Sequence, residues 1–555
     1  MKRALPFLLL GLPLAVSAQR YVTEVFTPDQ VVITPGVSYG QNVDFLTSNL
    51  ADPDVPGDLG FLQMTVSQGN PIPPEYFNPL DTSTAVKVAD LKMDIYEPDQ
   101  AVDTETARPM VLYLHTGNAL PPGYPGNGSP TGRRTDSTAV EICKQLAQRG
   151  YVAVSMSYRL GWNPLGTTLE VRRGTLLNAI YRAIHDVREC IRTHKELATN
   201  GGNTYAINPD KIVVLGEGTG GYIALANATL DQPSELFIEK FVPDPLNFPD
   251  SSYIDTNAVG NLDGFNGQLT LYRPNGFDYE TQFCVNLGGA LADTSWMEVG
   301  DVPMVACHTV FDPYAPFTEG IVIVPTTGEE VVPVQGSNFF VALANTYGNN
   351  ASFATLPSGV DGFTDRARSL YGQVVDGVQI SANAEGLFPM IRPHWPAPAG
   401  EEASPWQWWD PTSPDALDII PGINITCHQA SLASNPDMSG AKGRLYIDTI
   451  MGYINPRIVC ELQLGLCSLV NIDENSSVAQ GVDLFPNPAA DRVTISSTEA
   501  AILSYEVYDV NGRLVRTASV NAKQAVIERQ GLEAGAYSVQ IRFAEGTVTR
   551  KLMLD

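Results

Sequence analysis

The sequence predicts an α/β fold on a doubly wound, mainly parallel sheet, followed by a small all-β sandwich of immunoglobulin-like type. Three observations carry this. Short apolar runs alternate with amphipathic helical stretches between residues 88 and 307, the pattern of a parallel sheet covered on both faces. The stretch KIVVLGEGTGG at 211–221 reads as a buried strand, a glycine-dense turn and a helix start. Beyond residue 482 the apolar period shortens to two, and turn signals such as Asn511-Gly512 separate short runs.

In chain order, residues 1–18 have a charged start, a short apolar run and small residues before Gln19, the signature of a secretory signal peptide cleaved near Ala18-Gln19. Residues 19–81 are rich in Pro, Gly, Asp and Asn and are expected to form an irregular N-terminal extension. Leu91, Met93 and Ile95 alternate with polar residues as in a half-buried strand. Strands are predicted at 110–115 and 151–155, with a helix between them marked by Ala139, Ile142, Cys143 and Leu146. Leu177, Ile180, Ile184, Val187 and Ile191 mark one face of a long helix that precedes the glycine turn. Residues 233–280 read as an insertion over the carboxyl edge of the sheet, where ligands bind in such folds. Strands resume at 283–287 and 302–307, a further helix and strand at 330–357, and a closing helix at 445–464. Four tryptophans between 395 and 409 fit either core-edge packing or a sugar site. The main domain is thus placed at 82–468, a polar linker at 469–481 and the β domain at 482–555.

The formal charge of −27 argues against nucleic acid and anionic membrane as partners, since both would repel the chain. Outside the leader no stretch has the length and apolarity of a membrane-spanning helix. Export permits disulfides, and Cys460 and Cys467 are close enough in sequence to pair, while Cys143 and Cys190 fit buried helix positions. No Cys-x-x-Cys or His/Cys cluster suggests a metal, and no cofactor is expected.

Residues 85–370 resemble the esterase/lipase branch of the α/β hydrolases through six ordered stretches: LKMDIYEP at 91–98, YLHTGN at 113–118, SYRLG at 157–161, NPDKI at 208–212, GEGTGG at 216–221 and VPMVACHTVFDPYAP at 302–316. The C-terminal part resembles the sorting domain of the type IX secretion system of Bacteroidetes, through LFPNP at 484–488, VYDVNGRLV at 507–515, LEAGAYSV at 532–539 and the basic-apolar end at 550–552. That resemblance implies export across the outer membrane, engagement of the secretion machinery, and release or attachment at the cell surface.

The hydrolase resemblance also implies a nucleophile, a histidine and an orienting carboxylate. The nucleophile position of the Gly-x-Ser-x-Gly elbow is Gly218, which has no hydroxyl. Thr219, one residue on, stands where the family uses a backbone N–H. Asp312 fills the acid position. The histidine loop is matched by GVDGF at 359–363, with Asp361 in the imidazole's place; His394 and His428 lie later in the chain. Thr116, Gly117 and Thr219 correspond to the oxyanion hole, and Thr116 replaces a family glycine. The resulting expectation is a secreted or cell-surface protein that has lost esterase chemistry and binds a small molecule, a glycan or a surface protein. An active hydrolase with a displaced nucleophile and a structural surface component are the alternatives.

Overall fold

The computed structural model describes residues 20–124, 127, 131–324, 327–354, 356–357, 361–396, 401–409, 411–412, 414–420, 424–465, 481–487, 489–498, 500–508, 514–532, 535–543 and 546–554. The leader at 1–18, the linker up to residue 480 and the Asn511-Gly512 turn lie outside them. The chain divides into two compact units that part between Cys467 and Ser468.

The first unit is built on eight strands: β1 (Val31–Val43), β2 (Val88–Pro98), β3 (Arg108–Leu114), β4 (Val152–Met156), β5 (Ile207–Glu217), β6 (Phe283–Leu287), β7 (Met304–Thr309) and β8 (Leu387–Met390). Their order in the sheet is β1-β2-β4-β3-β5-β6-β7-β8. β2 runs antiparallel to both neighbours, and every other pair from β4 to β8 is parallel. Strands β3, β4, β6, β7 and β8 are buried along their whole length, as helix cover on two faces demands.

The order reverses at β3. The chain steps from β3 to β4 in one direction and from β4 past β3 to β5 in the other. Right-handed crossovers therefore put the helix α2 (Ser137–Gln148) and the helices α3 (Leu169–Asn200) and α4 (Thr219–Thr229) on opposite faces. The last long helix, α8 (Gly440–Glu461), joins α2 through Gln145 Nε2 and Asp448 Oδ1 at 2.8 Å. Arg188 of α3 reaches Asn227 of α4 at 3.4 Å. The carboxyl ends of β3 and β5, either side of the reversal, open a crevice where ligands bind in open α/β sheets.

Residues 19–81 are not the irregular extension that their composition predicts. β1 pairs with β2 over its thirteen residues, and α1 (Val55–Ser67) packs beside it on a small cluster of Val43, Leu59, Leu62, Tyr76, Val86 and Leu271. β1 is an edge strand whose first half is largely exposed, so no buried alternation marks it, and its register shifts at Pro35-Gly36. The insertion at 233–280 is also corrected in part. Phe241 and Ile254 do line a cavity above the sheet. The rest runs down α3 to the β1 edge, where Arg188 donates to Leu262 O at 2.6 Å and Leu271 N donates to Asn42 Oδ1 at 2.9 Å.

Two shorter elements matter for the cavity: a hairpin of Glu319–Ile323 with Glu330–Gln335, and α7 (Cys427–Ser434). Helices α5 (Ser337–Tyr347) and α6 (Gly362–Arg368) lie between β7 and β8 in the chain. Trp406, Trp408 and Trp409 are buried, which is core-edge packing and not a sugar platform. Cys143, Cys190, Cys284, Cys307 and Cys427 are buried free thiols; Cys460 is disulfide-bonded, and Cys467 lies outside the described residues. No described helix is long and apolar enough to cross a membrane.

The second unit is all β. One antiparallel sheet holds Val482–Phe485, Arg492–Ser497 and Gln524–Glu528; the other holds Ile502–Tyr508, Leu514–Ala522, Gly535–Phe543 and Gly546–Leu554. Inward residues such as Val493, Ile495, Val507, Ile527, Val539 and Ile541 form its own core.

Candidate functional site: a hydrolase elbow without its nucleophile

β5 enters α4 through a single residue, Gly218, at φ +52° and ψ −114°. An L side chain adopts that geometry only under strain. The turn is held by the Gly218 N–H on Leu287 O at 2.8 Å. Gly220 permits the close approach of α4 to β3: a Cβ there would stand 2.6 Å from the Leu114 carbonyl carbon. The strained strand–turn–helix is the elbow that the sequence predicts, and the apex carries no hydroxyl of its own.

The space above the apex is taken. A Cβ placed on Gly218 would clash with the Thr116 hydroxyl and lie 3.0 Å from Thr116 Cβ. Thr116 therefore holds the ground on which a nucleophile would stand. Its loop is rigid: His115 is buried, donates from Nδ1 to Thr116 O at 2.7 Å and stacks on Tyr158 at 4.4 Å between centroids. Burial pushes the His115 imidazolium down to about 4. Gly117 passes so close to the backbone of Thr131 and Gly132 that no side chain fits. The Asn118 N–H donates to Thr219 Oγ1 at 2.9 Å, which ties the Thr219 hydroxyl to the loop after β3.

Asp312 lies at the end of β7, where the acid is expected, with its side chain 2% exposed. Its Oδ1 accepts the N–H groups of Tyr314 and Ala315 at 2.8 and 2.9 Å. Asp361 does not match the expected place of the histidine. It precedes β8, and its side chain caps α6 by accepting the Thr364 N–H at 2.5 Å. The loop after the last strand begins at residue 391 and holds His394, whose ring stands 4.7 Å from that of Phe311, next to Asp312. Yet the His394 side chain is 52% exposed and pairs with Glu401 at 2.5 Å and Asp376 at 3.6 Å, not with Asp312. That loop contains an imidazole, but it points elsewhere. His428 opens α7 and does not line the cavity.

The apex borders a cavity of about 470 Å³. Its floor is apolar, with Ile180 and Ile184 of α3, Leu230, Trp296, and Val322 and Val332 of the hairpin. Thr116, Tyr222, Asp312 and Glu401 supply polar groups to the lining. The described residues hold no group of His, Cys, Asp and Glu arranged to hold a metal.

One residue of the elbow escaped the sequence reading. Glu217 is fully buried and accepts from Tyr113 Oη at 2.5 Å, Trp406 Nε1 at 2.7 Å and Gln407 Nε2 at 2.9 Å. Burial pushes its carboxyl up, against those three donors. It ties the elbow to the 401–409 segment that roofs the cavity. A charged residue directly after the apolar run Ile212–Leu215 and Gly216 is the local sign of it.

Sheet and elbow give the first unit an α/β-hydrolase type of fold, and the second unit is a sorting domain of the kind carried by secreted or cell-surface proteins. Residues 483–555 match the family model of the secretion system C-terminal sorting domain. A segment of 73 residues is 34% identical to the endo-acting ulvan lyase of Formosa agariphila, covering 13% of this chain and only 14% of the lyase. Among solved structures the chain is similar to Thermogutta terrifontis esterase 2 phosphorylated by paraoxon, at 16% identity over 41% of this chain and 69% of that one, with a TM-score of 0.26. It is also similar to MGS-M1, an α/β hydrolase from a Medee basin deep-sea metagenome library, at 15% identity over 41% and 66%, with a TM-score of 0.23.

Proposed function

We propose that the first unit binds a small apolar-chain molecule at the elbow and performs no serine-esterase chemistry. The observation behind this is Gly218 itself: the apex has no hydroxyl, and Thr116 fills the nucleophile's space above an open, largely apolar cavity. An open cavity of this size suits a ligand better than a structural block, whose pocket would be filled. Trp406, Trp408 and Trp409 are buried, and the half-buried Trp395 does not line the cavity, which weighs against the glycan reading. In this reading the leader is cleaved near Ala18-Gln19, and residues 482–555 deliver the mature chain across the outer membrane.

The test is turnover of short-chain p-nitrophenyl esters by the purified mature protein, together with labelling by a fluorophosphonate probe. The expected result is neither turnover nor label. A displaced-nucleophile hydrolase has one specific point in its favour, the Thr116 hydroxyl at the apex. A covalent adduct mapped to Thr116, lost in Thr116→Val, would replace the binding reading with that one.

A further inference from the structure

The charge of the cavity lining is one-signed. Asp312, Glu401 and Glu402 line it, and no described lysine, arginine or histidine does. Two of the three carboxylates have cationic partners. Glu402 accepts from Arg392 at 2.7 Å and Lys442 at 2.5 Å, and Glu401 pairs with His394. Asp312 has only backbone donors on Oδ1 and His308 Nε2 at 3.5 Å from Oδ2.

The hydrogen bonds around His308 fix what that contact supplies. Asn286 Nδ2 lies 3.1 Å from Ser337 Oγ and must donate to it. The serine hydroxyl is then free to donate to His308 Nδ1 at 2.7 Å, which leaves the ring proton on Nε2. That proton faces Ala315 O at 3.1 Å, closer than Asp312. Asp312 thus presents a desolvated carboxylate to the cavity without a full ion-pair partner. Tyr222 and Tyr314 line the same space, and burial first, then the charge of Asp312, pushes both phenols up. The Tyr222 hydroxyl is buried with no hydrogen-bond partner.

We propose that the ligand is a single-chain organic cation, with an ammonium head against Asp312 between the rings of Tyr222 and Tyr314 and a hydrocarbon tail along Ile180, Ile184, Leu230 and Val332. This rests on the binding reading given above. A buried carboxylate attracts a cation more strongly than one in water, because little solvent screens it. Aromatic faces beside the head add to the attraction. A chain ending in carboxylate meets like charge in the same place. The net charge of −27 raises the local concentration of cations around the whole chain.

The experiment is calorimetric titration of the mature full chain at pH 7 with decylamine, decanol and decanoate, each below its micellar concentration. The expected order is decylamine, decanol, decanoate, with roughly tenfold or more between the first and last. Asp312→Asn keeps an oxygen for the Tyr314 and Ala315 N–H groups and should bring decylamine to the level of decanol while leaving decanol unchanged. Ile180→Trp, which fills the tail region, should weaken all three. Decanoate binding as tightly as decylamine overturns the charge inference alone, as does an Asp312→Asn protein that keeps the amine preference. If none of the three binds the wild-type chain, the cavity is not a ligand site and both readings fall. The wild-type ranking decides the matter even if the Asn variant does not fold.

Discussion

Restoring the missing serine with Gly218→Ser tests the whole account of the elbow. The new Cβ clashes with the Thr116 hydroxyl and comes within 3.0 Å of Thr116 Cβ, so that side chain or its rigid loop must shift. The new residue also takes on φ +52° and ψ −114°. Overpacking and backbone strain together are expected to cost about 2–5 kcal/mol, seen as a clear fall in melting temperature by scanning calorimetry. Adding Thr116→Gly removes the clash and should recover the packing part but not the torsional part. Activity on p-nitrophenyl butyrate should stay at background in both variants. A serine without a base forgoes about 10²–10⁴ in rate, and His394 is turned out to Glu401. Asp361→His adds nothing here, because position 361 caps α6 ahead of the last strand. Turnover at least a hundredfold over background in the Gly218→Ser, Thr116→Gly protein would refute this reasoning, since it would mean that His394 swings to Asp312 and completes a triad.

Other outcomes follow from the same geometry. Thr219→Ala frees the Asn118 N–H but should leave ester turnover at background; a real activity lost on that change would make Thr219 a nucleophile. Burial raises the Asp136 carboxyl from its usual 3.8 to about 7, so the folded state holds its proton longer than the unfolded chain does. Stability should therefore fall as pH climbs from about 4 to about 7. Asp136→Asn keeps an acceptor for the Gly132 and Arg133 N–H groups and should flatten that part of a denaturant–pH profile; an unchanged slope would place the titration elsewhere. Arg108 is fully buried and donates to Glu97 and Asp103, so Arg108→Ala should cost about 3 kcal/mol in urea unfolding by leaving Glu97 without its cation, while Asp103 keeps Arg20. Deleting residues 482–555 should leave the melting temperature of the first unit unchanged, since each unit has its own core, while abolishing surface delivery in the native host.

The sequence by itself determined the class of the fold, the elbow and the identity of the tail. Those depend on local pattern: continuous apolar runs for β3 to β7, glycines at fixed offsets around residue 218, and the spaced tail motifs. That a glycine stands at the turn between β5 and α4 is legible for the same reason, because its neighbours define the position. The tertiary structure decided what depends on distant segments. β1 has no alternation to read because its first half is largely exposed, and only its pairing with β2 makes it a strand. β8 is four residues long and lies far downstream, too short for any period to show, so the sequence does not reveal that residue 361 precedes the last strand. That Thr116 fills the apex, that Glu217 finds donors from about 190 residues away in Trp406 and Gln407, and that Asp312 faces the cavity without a cation all arise from the closing of the sheet. Local propensity records none of these, because each depends on contact between residues remote in the chain.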